Sequence, residues 1–229
     1  MNILILGDGL LGSELVKQTN WGYISRKKNN IDFTSPGTYT HLLKGYKTII
    51  NCIACTDTYS IDKTKHWGVN YKAVADLVSF CNLNQIKVIH ISTDHIYANS
   101  PSNASENTVP QHLGTWYGYT KLLGDAHVQM AAHNYLVIRE SHKPYPFPYK
   151  EAWDDQLTNG DYVNVIASLI IKLVNNNASG VYNVGTEEKT WYGLTKEEFN
   201  TIPSNSHINA PDNVTMDLTK LDNEIKRIN

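Results

Sequence analysis

Short runs of branched apolar residues alternate along the chain with longer segments whose apolar positions recur every three or four residues. The runs at 2–6, 23–25, 48–52, 87–92, 135–139 and 181–184 read as strands. The segments 10–18, 35–43, 67–81, 113–132 and 163–174 carry helical periodicity. In the third of these Val69, Ala73, Leu77 and Phe80 form one apolar stripe. A strand followed by a helix, repeated, predicts βαβ units and a doubly wound parallel sheet of the α/β class. Two stretches break the pattern. Residues 141–160 hold Pro144, Pro146 and Pro148 among four aromatics without a clean period, and read as a long ordered loop. Residues 200–212 are also irregular, and the tail from Met216 has the pattern of a short helix. Domains are therefore expected at 1–140, a cofactor and catalytic part, and at 141–229, a reduced substrate lobe plus the last elements of the sheet.

The 229 residues suit one full domain with a small appendage. With 41% hydrophobic residues, 18% charged residues, 14 Gly and 8 Pro, a disordered, collagenous or coiled-coil chain is excluded. The longest apolar runs, 163–174 and 87–91, fall short of a bilayer span, so no membrane partner is expected. Net charge is −2, and the basic residues are scattered apart from Arg26-Lys27-Lys28, which gives no nucleic-acid footprint. The opening apolar run lacks a basic leader and leads straight into glycines. It reads as a buried strand of a cytoplasmic protein. Three cysteines make no disulfide framework. The Asn-x-Ser/Thr matches at Asn103, Asn177 and Asn213 then carry no meaning.

Ligands of such sheets bind at the carboxyl ends of the strands, so the residues following each strand are the ones to search. After the first strand comes Gly7-Asp8-Gly9-Leu10-Leu11-Gly12, a GxGxxG run between strand and helix. Its glycines allow a tight turn and bring backbone N–H groups and the helix start close to a pyrophosphate, the signature of a Rossmann-like dinucleotide site. After the second strand stand Ser25-Arg26-Lys27, where an NAD site commonly has an acid. A guanidinium suits a 2′-phosphate, so NADPH is favoured over NADH. Asp32 and Phe33 are placed to frame the adenine. The third strand ends in Asn51-Cys52-Ile53-Ala54-Cys55-Thr56, and the small residues Cys52, Ile53 and Ala54 make room for the cofactor's ribose. The CxxC has no second pair and no HxxxH, so no metal is assigned.

The fourth strand delivers Ser92-Thr93-Asp94-His95 to the same edge. Further on, Tyr117-Gly118-Tyr119-Thr120-Lys121 sets Tyr117 and Lys121 one turn apart on one helix face. A tyrosine is a poor acid or base near neutrality unless a neighbouring ammonium lowers its pKa. YxxxK also occurs at Tyr23/Lys27, Tyr59/Lys63 and Tyr192/Lys196. Only the Tyr117 copy follows a Ser-Thr-Asp strand end, and position selects it.

With the glycine turn, Gly68-Val69-Asn70, His90-Ile91-Ser92-Thr93-Asp94, Trp116-Tyr117-Gly118 with Lys121, Val137-Ile138-Arg139 and Gly180-Val181-Tyr182-Asn183-Val184-Gly185, the chain resembles the extended short-chain dehydrogenase/reductases, and most of all their dTDP-4-dehydrorhamnose reductase branch. The resemblance implies an NADPH-dependent reductase of a nucleotide-linked 4-keto-6-deoxy sugar. Thr93 would orient the carbonyl, Tyr117 would give the proton, and Lys121 would hold the nicotinamide ribose and depress the pKa of Tyr117. Asp94, His95 and His142 fall where family members contact the sugar, and a homodimer is compatible. His95 stands where dehydratases carry an extra acid, which argues against dehydration. The chain departs from the family pattern in a glycine turn one residue shorter, in fewer residues after Glu140, and in the loop from Pro144 to Tyr149. Two alternatives stay open: an epimerase of the same superfamily, for which an acid in place of Arg26 would speak, and a non-catalytic NADP-binding sensor, which loss of the Tyr/Lys pair would mark.

Overall fold

The computed structural model describes residues 2–111 and 114–227. Strands β1 (Ile3–Leu6), β2 (Gly22–Ile24), β3 (Thr48–Asn51), β4 (Lys87–Ile91), β5 (Tyr135–Arg139) and β6 (Gly180–Asn183) form one parallel sheet in the order β6-β5-β4-β3-β1-β2. The chain moves from β1 outward to β2, then crosses back over β1 to lay down β3 and the rest. That reversal opens a crevice between the carboxyl ends of β1 and β3, where Leu6 is in register with Asn51.

Both faces of the sheet are covered, which is why its strands are apolar throughout rather than alternating. Ile3 and Ile5 of β1 point to one face, onto Leu11 and Leu15 of α1 (Leu10–Thr19). The other face receives Leu4 and Leu6, packed with Val74, Leu77 and Val78 of α2 (Ala73–Leu83) and Val128 of α3 (Trp116–Ala131). Helix α4 (Val163–Asn175) lies beside α1 and buries Val163, Ile166, Ala167, Ile170, Leu173 and Val174, an i, i+3, i+4, i+7 stripe. Below the site, buried Arg139 grips Asp125 of α3 through two bonds of 3.0 Å and the Tyr97 hydroxyl at 2.6 Å. Asp125 in turn accepts from Ser92 Oγ at 2.7 Å. This network ties β5, α3 and the end of β4 into one unit.

The structure differs from the sequence reading in several places. Residues 35–43 form two 3-10 turns, Pro36–Thr38 and Thr40–Leu43, because a Pro-Gly pair followed by Thr and Tyr disfavours continuous α-helix. The helix expected from residue 67 starts earlier, at Lys63–His66, and passes through a π-turn, Trp67–Lys72, before α2. The start expected at Leu113 lies outside the described residues, and α3 begins at Trp116 with Thr115 Oγ1 accepting from Gly118 N. The stretch 141–160 holds the short strands His142–Lys143, Glu151–Trp153 and Leu157–Thr158, paired with Asp161–Tyr162, Ile202–Ser204 and Lys189–Thr190. Strands of two or three residues show no period, so they leave no pattern to read. An unforeseen helix, α5 (Trp191–Phe199), joins Phe147, Ala152, Tyr162 and Trp191 in a small separate core. The tail forms α6 (Thr219–Lys226), whose Leu221 returns to the main core. Among the described residues no helix is long and apolar enough to cross a membrane.

Candidate active site

The β1–β3 crevice opens into two cavities that share Gly9, Cys52 and Ala54. The first, of about 410 Å³, is walled by Gly7, Asp8, Ser25, Arg26, Lys27, Asp32, Phe33 and Ile53. Gly7 has φ +98°, a conformation that L side chains rarely adopt. A Cβ on Gly12 would collide with the Gly7 carbonyl oxygen, so this glycine lets α1 sit directly against the turn. A Cβ on Gly9 would meet nothing within 4 Å, because that residue faces the open crevice. Ser25 caps the short turn Arg26–Asn29 by accepting from Lys28 N at 3.0 Å, and gives its own proton to Asp8 Oδ2 at 2.8 Å. Arg26 and Lys27 are left exposed on the wall. Asp32 accepts from Thr34 N, Thr34 Oγ1 and Ser35 Oγ, bonds that hold its carboxyl below the usual range. A glycine cradle open at Gly9, with two cations on its far wall, fits a dinucleotide with a phosphate at its adenosine end.

The second cavity, of about 450 Å³, is walled by Thr93, His95, Tyr117 and Lys121, and by Glu140, His142, Lys143, Trp153, Gln156 and Trp191. Thr93, Lys121, Glu140, Gln156 and Trp191 are buried, and His95, Tyr117, His142, Lys143 and Trp153 are half-buried on its wall. Burial raises the Tyr117 phenol well above its ordinary value, and the adjacent Thr93 hydroxyl opposes this only in part. Burial lowers Lys121 to about 8 against the pull of Glu140 and Asp125, and its Nζ donates to the Ile91 carbonyl. Burial and the Lys143 charge lower His95 to about 4, which keeps it neutral near pH 7. His142 goes the other way: burial opposes protonation, but the charge of Glu140 and a 2.8 Å bond to Glu140 Oε2 prevail. Burial pushes the Cys52 thiol up, which disfavours a reactive thiolate, and all three cysteines are free. Among the described residues no group of three or more His, Cys, Asp or Glu is placed to hold a metal ion.

Gly7, Gly9, Arg26, Asp32, Phe33, Cys52, Ile53 and Ala54 thus lie on the first cavity, and Leu10, Leu11, Thr93, His95, Tyr117, Lys121 and His142 on the second. Gly12 and Asp94 lie on neither. Gly12 is a packing residue. Asp94 is buried behind the wall, accepts from Thr158 Oγ1 at 3.2 Å, and is raised to about 7 by burial and the charge of Glu140. The expectation that Lys121 lowers the Tyr117 pKa is also corrected, because burial dominates at the phenol and the ammonium is engaged by a strand carbonyl. Sequence reading missed Glu140 and Lys143, although both follow β5, where a search of strand ends would have found them. Trp153, Gln156 and Trp191 carried no such signal.

The sequence model of the family described as "RmlD substrate binding domain" matches residues 1–142. A "dTDP-4-keto-6-deoxy-D-glucose reductase" of Streptomyces niveus is 24% identical over 220 residues, which covers 85% of this chain and 76% of that protein. Matches to three further curated reductases take in 46% or less of those proteins' lengths. Among solved structures, a hypothetical dTDP-4-dehydrorhamnose reductase from Sulfolobus tokodaii superposes with a TM-score of 0.84 at 23% identity, covering 97% of this chain and 94% of that one. A dTDP-4-dehydrorhamnose reductase from Bacillus anthracis, in complex with NADP, gives 0.81 at 20% identity, covering 96% and 90%. At these identities the two structures establish the fold.

Proposed function

Because the chain belongs to the RmlD substrate-binding domain family, we propose that it is an NADPH-dependent reductase of a nucleotide-linked 4-keto-6-deoxy sugar. The observation that carries this reading is the meeting of the two cavities at Gly9, Cys52 and Ala54. One side has a glycine cradle with Arg26 and Lys27, and the other has Thr93, Tyr117 and Lys121. The name of the Streptomyces relative supports the substrate class, and the NADP held by the Bacillus anthracis structure supports the cofactor.

Gly7 and Gly9 would hold the pyrophosphate, Arg26 the 2′-phosphate, and Lys121 the ribose beside the nicotinamide. When bound, the reduced nicotinamide supplies a hydride to the sugar C4 carbonyl. Thr93 orients the carbonyl oxygen by hydrogen bonding, and Tyr117 gives that oxygen its proton. The raised pKa of the phenol keeps the proton in place at neutral pH until the oxygen becomes basic. Lys121, cationic below about 8, then stabilises the phenolate one helical turn away.

Incubation with NADPH and a panel of nucleotide-linked 4-keto-6-deoxy sugars, followed by nicotinamide absorbance, tests the proposal. At least one sugar is expected to consume the cofactor. Measurable NADPH binding with no consumption by any of them would overturn the reductase and leave a binding protein.

A further inference from the structure

Lys143 stands on the reaction cavity between two indoles, with Nζ 4.5 Å from the Trp191 ring centre and 5.3 Å from that of Trp153. Among the described residues this ammonium makes no side-chain hydrogen bond or ion pair; its contacts are the two rings. Its neighbours are served differently. His142 has Glu140 at 2.8 Å, Lys121 has the Ile91 carbonyl, and Lys189 has Thr186 and Asp161. The faces of indole rings attract a cation but offer no lone pair, so three N–H donors are partly desolvated without an acceptor.

The platform itself is built. Trp191 is 3% exposed, and its Nε1 donates to Gln156 Oε1 at 3.1 Å. A side chain on Gly160 would collide with the same indole, so that glycine reserves the space. The charge of Lys143 is felt at His95, His142 and Asp94, which flank Thr93. It therefore acts within the volume where the reacting sugar would lie.

We infer that Lys143 is the oxyanion anchor of the substrate: an anionic group of the ligand caps the ammonium, which the two indoles hold in place. This rests on the sugar-nucleotide reading of the cavity and narrows it, because the ligand must carry an oxyanion within reach of Lys143 when its carbonyl lies at Thr93 and Tyr117. The oxyanion has two chemical sources, the diphosphate that links sugar to nucleoside and a carboxylate on the sugar itself.

Titration calorimetry on the full chain, with dTDP and with a nucleotide-linked uronate as probes, distinguishes them. Lys143→Met keeps an unbranched apolar stem between the indoles and deletes the charge, whereas Lys143→Arg keeps it. The Met variant is expected to bind at least one probe roughly ten-fold or more weakly, and the Arg variant to stay within about three-fold, with NADPH affinity the same in all three proteins. Loss with both probes assigns the diphosphate, and loss confined to the uronate assigns the carboxylate. Equal affinities of wild type and Lys143→Met for both probes would overturn the inference, as would a wild type that binds NADPH and neither probe. A wild type that fails to bind NADPH counts against the proposed cofactor instead, and Lys143 is then judged by the two probes alone.

Discussion

The two cavities are nearly equal in volume, about 410 and 450 Å³, and are built on opposite principles. The cofactor side is made of backbone and exposed charge: a glycine turn, the start of α1, and Arg26 and Lys27 in water. The reaction side is made of buried and half-buried side chains, with a phenol raised, a lysine brought down to about 8, a histidine brought down to about 4 and a second histidine raised by its carboxylate. Backbone and exposed cations hold an anionic ligand at little cost to the fold, since nothing charged is taken out of water. Burial of charge opposes folding but sets proton affinities that water would level. Under the proposed function, the chemistry belongs to the second cavity and the affinity for cofactor to the first.

The sharpest way to break this contrast is Tyr117→Phe, which keeps the ring and removes the proton. Turnover is expected to fall roughly 10²- to 10⁴-fold with NADPH affinity unchanged, as read by rapid mixing and by titration. Turnover close to wild type would move the proton donor elsewhere. Lys121→Met separates function from stability. Turnover should drop at least about ten-fold, while the folded state gains roughly 1–3 kcal/mol at pH 7, because the lowered folded pKa means that burial of the ammonium opposes folding there. The pH dependence gives the sign. The folded pKa of about 8 lies below the unfolded value, so above pH 8 the unfolded chain holds more protons than the folded one. Wild-type stability therefore rises across that window, and the advantage of the variant shrinks toward pH 10. Melting curves taken from pH 7 to pH 10 check this; a constant difference would show that Lys121 is not strained by burial.

On the cofactor side, Arg26→Ala should weaken NADPH by about ten-fold and NADH by less than about two-fold. An unchanged preference would remove the 2′-phosphate assignment. The smallest effect compares two glycines of one turn. Gly12→Ala should cost about 1–3 kcal/mol in melting experiments, because its Cβ meets the Gly7 carbonyl. Gly9→Ala should leave stability within about 0.5 kcal/mol and weaken NADPH a few-fold, since its Cβ points into the cradle. Equal destabilisation by both would mean that Gly9 is a packing residue too.

The cofactor side was largely legible because its residues are close in sequence. Gly7 to Gly12 belong to one strand–turn–helix step, and Arg26 stands at the end of the next strand. Thr93, Tyr117 and Lys121 were legible for a related reason, since a strand end and one turn of the following helix have fixed geometry. Asp94 shows the limit. Its neighbour Thr93 faces the cavity while Asp94 turns inward to Thr158, a partner from the short strand Leu157–Thr158 that no local pattern announces. The Tyr117 pKa shows another limit, since the spacing to Lys121 says nothing about how much water reaches the phenol.

Local pattern was enough to specify the parallel sheet, the turn at its first strand and the spacing of Tyr117 and Lys121 one helical turn apart. These follow from periodicity and from contacts within a few residues, which the backbone geometry of strands and helices imposes. Which groups share the second cavity, and what charge each carries there, came from long-range packing. Strands of two or three residues, paired across stretches of chain, bring Lys143, Trp153, Gln156 and Trp191 to the cavity that Tyr117 also lines. Proton affinity then depends on the burial they create together, which belongs to the folded assembly and to no segment of the chain.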